Sequence, residues 1–79
     1  MIISLELKGI LKDKSRFLLQ KKIKKIKLAK DAKILDVLIF IGIPKENVAL
    51  ITVNDRISDL NILLKDRDKI IFYPPIGGG

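Results

Sequence analysis

The chain contains no cysteine and no histidine, and this double absence limits how so short a protein can hold itself together. A single domain of 79 residues buries only roughly 60% of the surface its unfolded chain exposes. Disulfides, and metals held by thiolate or imidazole, are the usual supplements at this size, and the residue inventory excludes them. Stability has to come from packed apolar side chains, which 15 Ile and 12 Leu supply. The same inventory narrows function. An acid/base pair working near neutral pH, or a metal centre, would need carboxylates or perturbed lysines, and no cluster of them suggests one.

Ile3, Leu5 and Leu7 alternate with Ser4, Glu6 and Lys8, the period-two pattern of a half-buried strand. Gly9 ends it. Residues 16–30 fit two patterns: Leu19, Ile23 and Ile26 fall at helical spacing, whereas Ile26 and Leu28 alternate with Lys25 and Lys27. Further on, Ile34, Val37, Leu38 and Ile41 share one helix face, with Asp31 as the expected N-cap, Gly42 as the stop and Pro44 barring continuation. Leu35, Ile39 and Phe40 make this helix apolar on more than one side, as in a helix that is embedded or partly covered by a partner. Residues 48–53 read as a buried strand, and Asn54-Asp55 as a turn that tolerates left-handed backbone. Residues 57–64 are too irregular for one long element. Residues 65–68 form a polar turn, and residues 69–73 a last strand. A mixed sheet with one helix packed across it satisfies these elements. Its expected core is Ile3, Leu5, Ile34, Val37, Leu38, Ile41, Ile51, Val53, Ile70 and Phe72.

Charge is concentrated. Residues 12–33 carry ten Lys/Arg against two Asp, within a net charge of +7. Such a block suits nucleic acid or an acidic protein surface, or simply a solvated face. Only Phe17 lies among the lysines, which argues against a single-stranded nucleic-acid platform. The longest apolar run, residues 37–43, is far short of the ~18 residues of a membrane-spanning helix. The alternation at residues 3–8 does not resemble a signal peptide. A cytoplasmic protein without membrane association is expected.

The sequence closes on Pro74-Pro75-Ile76-Gly77-Gly78-Gly79. Glycine has no Cβ to obstruct close approach to another backbone, and the two prolines stiffen the exit from the folded body. Residues 1–73 are therefore expected to form the domain, and 74–79 a mobile tail that can be threaded into another protein.

The segment from Gly42 onward, with Val53-Asn54, Leu64, Asp66, Asp68, Pro74-Pro75 and Gly78-Gly79, resembles the ubiquitin-like sulfur carriers. That family includes the small subunit of molybdopterin synthase and the thiamine-pathway sulfur carrier. The resemblance is specific over about residues 34–79 and weak over 10–30. It implies an α+β fold of the β-grasp (ubiquitin-like) type, and it favours a strand over residues 22–28. Asp55 and Arg67 stand where the family usually has glycine. Asp accepts a left-handed turn, whereas Arg requires φ < 0 or strain. Lys33 replaces the usual Thr cap.

The resemblance also implies a chemistry. An adenylyltransferase related to ubiquitin-activating enzymes consumes ATP to activate the Gly79 carboxylate, and a persulfide donor converts it to a thiocarboxylate. A synthase, such as the molybdopterin synthase large subunit, accepts the sulfur. The carrier is a protein cosubstrate with no bound cofactor or metal. Gly77 and Gly78 would enter the partner's tunnel, Ile76 would plug its mouth, and Pro74 and Pro75 would limit the entropy lost on insertion. Tyr73, Ile71, Leu50 and Thr52 would form a docking face on the side of the sheet away from the helix. Phe72-Tyr73-Pro74-Pro75 favours the molybdopterin branch over the thiamine branch. A protein modifier conjugated through Gly79 would begin with the same adenylation, and a basic binding module acting through residues 12–33 is the remaining alternative.

Overall fold

The structure, a computed structural model, describes residues 1–11 and 23–75. Among these residues the strands and the α-helix follow in order: β1 (Ile2–Leu7), β2 (Ile23–Lys27), α1 (Ile34–Ile41), β3 (Leu50–Val53), β4 (Arg56–Ser58) and β5 (Lys69–Tyr73). The sheet order is β2-β1-β5-β3-β4. The two central strands, β1 and β5, run parallel, and the other neighbours pair antiparallel. With α1 laid across one face, this is the β-grasp arrangement.

Alternation along the strands decides the core. Ile3, Leu5 and Leu7 of β1 and Ile70 and Phe72 of β5 point to the helix side and are fully buried, together with Ile34, Val37, Leu38 and Ile41 of α1. Ile51 joins them, whereas Val53 is only partly buried at the margin. The core extends beyond the expected set to Leu7, Leu11, Ile26, Ile43 and Leu64. The ambiguous basic stretch is strand at Ile23–Lys27, because its backbone pairs with β1 from Ile2↔Lys27 to Glu6↔Ile23. Ile26 alone of its lysine-rich run, residues 24–27, turns inward.

Two local expectations are corrected. Asp31 does not cap α1: it lies in a turn with φ 68°, and Lys33 occupies the N-cap. The first free helical N–H groups, of Ile34 and Leu35, instead donate to the carbonyls of Ile62 (3.1 Å) and Leu60 (3.0 Å). The Asp36 carboxylate accepts the Lys33 N–H at 2.8 Å. Orphan donors at a helix start need some acceptor, and here a distant loop supplies it. The expected strand over 48–53 begins only at Leu50, after a 3₁₀ turn at Lys45–Asn47, and the irregular stretch contains β4.

The C-terminal stop of α1 is as expected. Gly42 adopts φ 77°, and its N–H and that of Ile43 reach back to Leu38 O at 3.0 and 3.3 Å. This is the left-handed cap for which glycine is suited. Ile39 and Phe40 remain exposed on the outer side of α1. Among the described residues, no helix is long and apolar enough to cross a membrane.

Candidate functional site: the root of the tail and the outer sheet face

β5 ends where Tyr73 pairs with Leu50 of β3, with the Ala49 N–H donating to Tyr73 O at 2.8 Å. Pro74 and Pro75 lack the N–H needed to extend the ladder, so the chain leaves the sheet there. Pro74 is half-buried and Pro75 exposed. Gly9, at the far end of β1, makes room for this exit: it adopts φ 53°, and a Cβ built on it would lie 3.3 Å from Pro74 Cγ. Beside the exit is a hollow of about 340 Å³ lined by Ala49, Leu50, Tyr73, Pro74 and Pro75. Ile76, Gly77, Gly78 and Gly79 lie outside the described residues, as do the lysines and arginine of 12–22.

The expected docking residues do share the face away from α1. Leu50↔Tyr73 and Thr52↔Ile71 are direct cross-strand pairs, alternating with the core pairs Ile51↔Phe72 and Val53↔Ile70. Their exposure differs from the expectation. Leu50 is 38% exposed and Tyr73 is intermediate, but Thr52 and Ile71 retain only 9% and 7%. Both sit in inner columns of the sheet, flanked on each side by neighbouring strands. Thr52 Oγ1 is buried without a hydrogen-bond partner among the described residues. Sequence reasoning missed Ile57, which stands opposite Thr52 in β4 and is 78% exposed. The Asn54-Asp55 turn could have revealed it, since a two-residue hairpin loop sets the register of the strand that follows.

Glu6 and Lys8 complete this half of the face. Glu6 lies beside Ile71 and is buried, and its Oε2 is 2.6 Å from Lys8 Nζ. The hydrogen bond to Glu6 holds the Lys8 ammonium above its ordinary pKa of 10.5, against partial desolvation, with further help from the charges of Glu6 and Tyr73. Among the described residues of this face, no acid, base and nucleophile are assembled together. What it offers is an apolar rim at the root of a glycine-ended tail.

Residues 16–79 match the ThiS family, and the chain belongs to it; its fold is that of the ubiquitin-like sulfur carriers. In a solved complex of subunits 1 and 2 of the molybdopterin-converting factor from Helicobacter pylori, one chain is 30% identical, with full coverage of both chains and a TM-score of 0.59. Two other structures share the fold at lower identity. Small archaeal modifier protein 1 of Haloferax volcanii matches at 13% identity with a TM-score of 0.74, over 95% of this chain and 98% of that one. A protein described as a putative molybdopterin converting factor subunit 1 from Pyrococcus furiosus matches at 19% identity with a TM-score of 0.71, over 96% of this chain and 99% of that one. No curated protein sequence matches the chain.

Proposed function

We propose that this sulfur carrier works through Gly79, whose carboxylate is adenylated and then converted to a thiocarboxylate that donates sulfur in molybdopterin formation. The observation that carries the reading is the family match, which extends through the terminal glycines. A carboxylate oxygen of Gly79 attacks the α-phosphorus of ATP and releases pyrophosphate. The terminal sulfur of a persulfide donor then attacks the acyl carbon, AMP departs, and an acyl disulfide forms. A thiol reductant cleaves that S–S bond, leaving the thiocarboxylate on Gly79 and a disulfide on the reductant and donor. The carrier needs no acid, base or metal of its own for these steps. Its part is to deliver a narrow, unhindered terminus, with Gly77 and Gly78 in the partner's tunnel, Ile76 at its mouth and Pro74-Pro75 limiting the tail's freedom.

The partners on this reading are an adenylyltransferase of the ubiquitin-activating type, a persulfide donor and a synthase large subunit. The pairing of subunits 1 and 2 in the Helicobacter pylori complex supports the last. Leu50, Tyr73 and Ile57 would rest on the partner, with Thr52 and Ile71 supporting them from below. The test is intact mass after incubation with the cognate activating enzyme, ATP and a sulfur donor. A gain of about 16 Da at the terminus, the exchange of one oxygen for sulfur, is the expected covalent mark. Deleting Gly79 should abolish the gain with the fold intact. A Gly79-deleted protein that still sustains sulfur transfer would overturn the proposal, and lysine-linked conjugates in place of the gain would assign the chain to protein modification.

A further inference from the structure

The outer sheet face divides into two chemically different halves. At the tail end lie Tyr73, Leu50 and Ile57, with Ile71 and Thr52 between them. At the opposite end the pairing register puts Lys25 of β2, Ser4 of β1 and Lys69 of β5 in one row, Ser4 being the partner of both lysines. Lys27 follows beside Ile2, and Arg67 joins Ile2 through its N–H, which donates to Ile2 O at 2.7 Å. Ile3, Ile26 and Ile70 are buried, so alternation turns Lys25, Lys27 and Lys69 outward; Arg67 is almost fully exposed. Two of them, Lys25 and Arg67, line a shallow hollow of about 490 Å³ together with Ile2, Ser4 and Asp66. Among the described residues that line the hollow, the carboxylate is Asp66, whose Oδ1 accepts the Ile2 N–H at 2.7 Å and whose Oδ2 lies 4.0 Å from Arg67 Nε. With strands spaced by about 4.8 Å and residues by about 3.3 Å, Lys25 and Lys69 stand roughly 10 Å apart, and Lys69 lies roughly 13 Å from Tyr73.

We propose that Lys25, Lys27, Lys69 and Arg67 form an electrostatic docking surface for an acidic patch on the adenylating enzyme, with Lys69 roughly 13 Å from Tyr73 at the root of the tail. This rests on the sulfur-carrier reading above. A carrier must find that enzyme, be activated and leave again. Charge complementarity suits such an encounter because it accelerates association and sets orientation without a large dry contact that would delay release. The apolar half then seats at the tail root, and the basic half decides which way the tail points. The separation is large enough for the two halves to act on different steps: steering over a Debye length of about 8–10 Å, and retention by the short-range apolar contact.

The test is the association kinetics of the full chain with its cognate adenylating enzyme, without ATP, at low salt (about 0.02 M) and high salt (about 0.5 M). The wild type should associate at least about 10-fold faster at low salt. The triple variant Lys25→Glu/Lys27→Glu/Lys69→Glu should lose about 10–100-fold in association rate at low salt, converge on wild type at high salt and change little in dissociation rate. Lys25→Arg/Lys27→Arg/Lys69→Arg should retain wild-type rates, which separates charge from a folding defect. Leu50→Asp should speed dissociation at both salts. Equal low-salt association of the Glu variant and wild type overturns the proposal. So does charge-dependent binding of an oligonucleotide that is tighter than binding to the enzyme. Normal thiocarboxylate formation with salt-insensitive association would defeat this inference alone, whereas salt-steered association without thiocarboxylate formation would defeat the carrier reading alone.

Discussion

The Asn54 side chain donates from Nδ2 to Asp68 Oδ1 at 2.9 Å, joining two turns fourteen residues apart. Each residue also holds its neighbour's turn. Asn54 Oδ1 accepts the Lys69 N–H (2.9 Å), and Asp68 Oδ2 accepts the Lys65 N–H (2.7 Å). The Asp68 backbone carbonyl accepts the Ser4 N–H at 2.9 Å, which ties the same knot to β1. The start of β5, and hence the line along which the tail leaves the body, is set by this pair.

Asp68 is buried, so removing either partner leaves unsatisfied groups at a cost of about 1–3 kcal/mol. Asn54→Ala and Asp68→Ala should each lower the unfolding free energy by that amount in urea titrations. The double variant should cost less than the sum of the two, with a coupling of about 0.5–3 kcal/mol. Full additivity would show that the bond contributes nothing to stability.

Arg67 resolves the alternative left by its sequence: its φ is 71°, so the turn is left-handed and strained. A left-handed non-glycine residue costs about 1–2 kcal/mol, and the extra chain entropy of glycine returns about 0.5–1 of that. Arg67→Gly should stabilise the domain by up to about 1 kcal/mol, raising the melting temperature by up to about 4–8 °C. Asp55→Gly, at φ 69°, should gain less, because Asp tolerates this region better than Arg. A lower melting temperature for Arg67→Gly would refute the strain argument.

Gly9→Ala should act at the tail root. The substituted residue is strained at φ 53°, and its Cβ meets Pro74 Cγ. A loss of about 1–2 kcal/mol is expected from the backbone alone. The clash should also displace Pro74, so NMR shifts should spread to Ala49 and Leu50, which line the same hollow. Shifts confined to residues 8–10 would show that the exit is independent of Gly9.

Lys8 makes stability sensitive to alkaline pH. Its ammonium titrates above 10.5 in the folded chain because of the Glu6 hydrogen bond. A raised folded pKa means that the contribution is fully present below the unfolded value and is lost as pH rises through the folded one. Lys8→Met should therefore be less stable than wild type at pH 7–9, and the gap should close above pH 10.5. A constant gap across that range would assign the effect to packing of the lysine stem.

Much of the body was legible because local chemistry decides it. Period-two alternation picked out Ile3, Leu5, Ile70 and Phe72 as inward, helical spacing did the same for Ile34, Val37, Leu38 and Ile41, and Gly42 and Pro44 marked the helix end by their own backbone preferences. The Pro-Pro exit was likewise written in consecutive residues. Other features required the folded chain. At the helix start Asp36 caps locally, but the Ile34 and Leu35 N–H groups are satisfied by carbonyls at positions 62 and 60, which nothing near Asp31 could announce. The spacing at residues 23–27 fitted helix and strand alike; the family resemblance favoured strand, and pairing with β1 is what makes it one. Thr52 and Ile71 are buried in inner strands of the sheet, and the basic and apolar halves of the outer face emerge only when β2, β1 and β5 bring residues from three distant segments into register. Local sequence determines how each segment turns its side chains. Which segments then face one another depends on pairing between residues far apart in the chain, and that is a property of the tertiary structure.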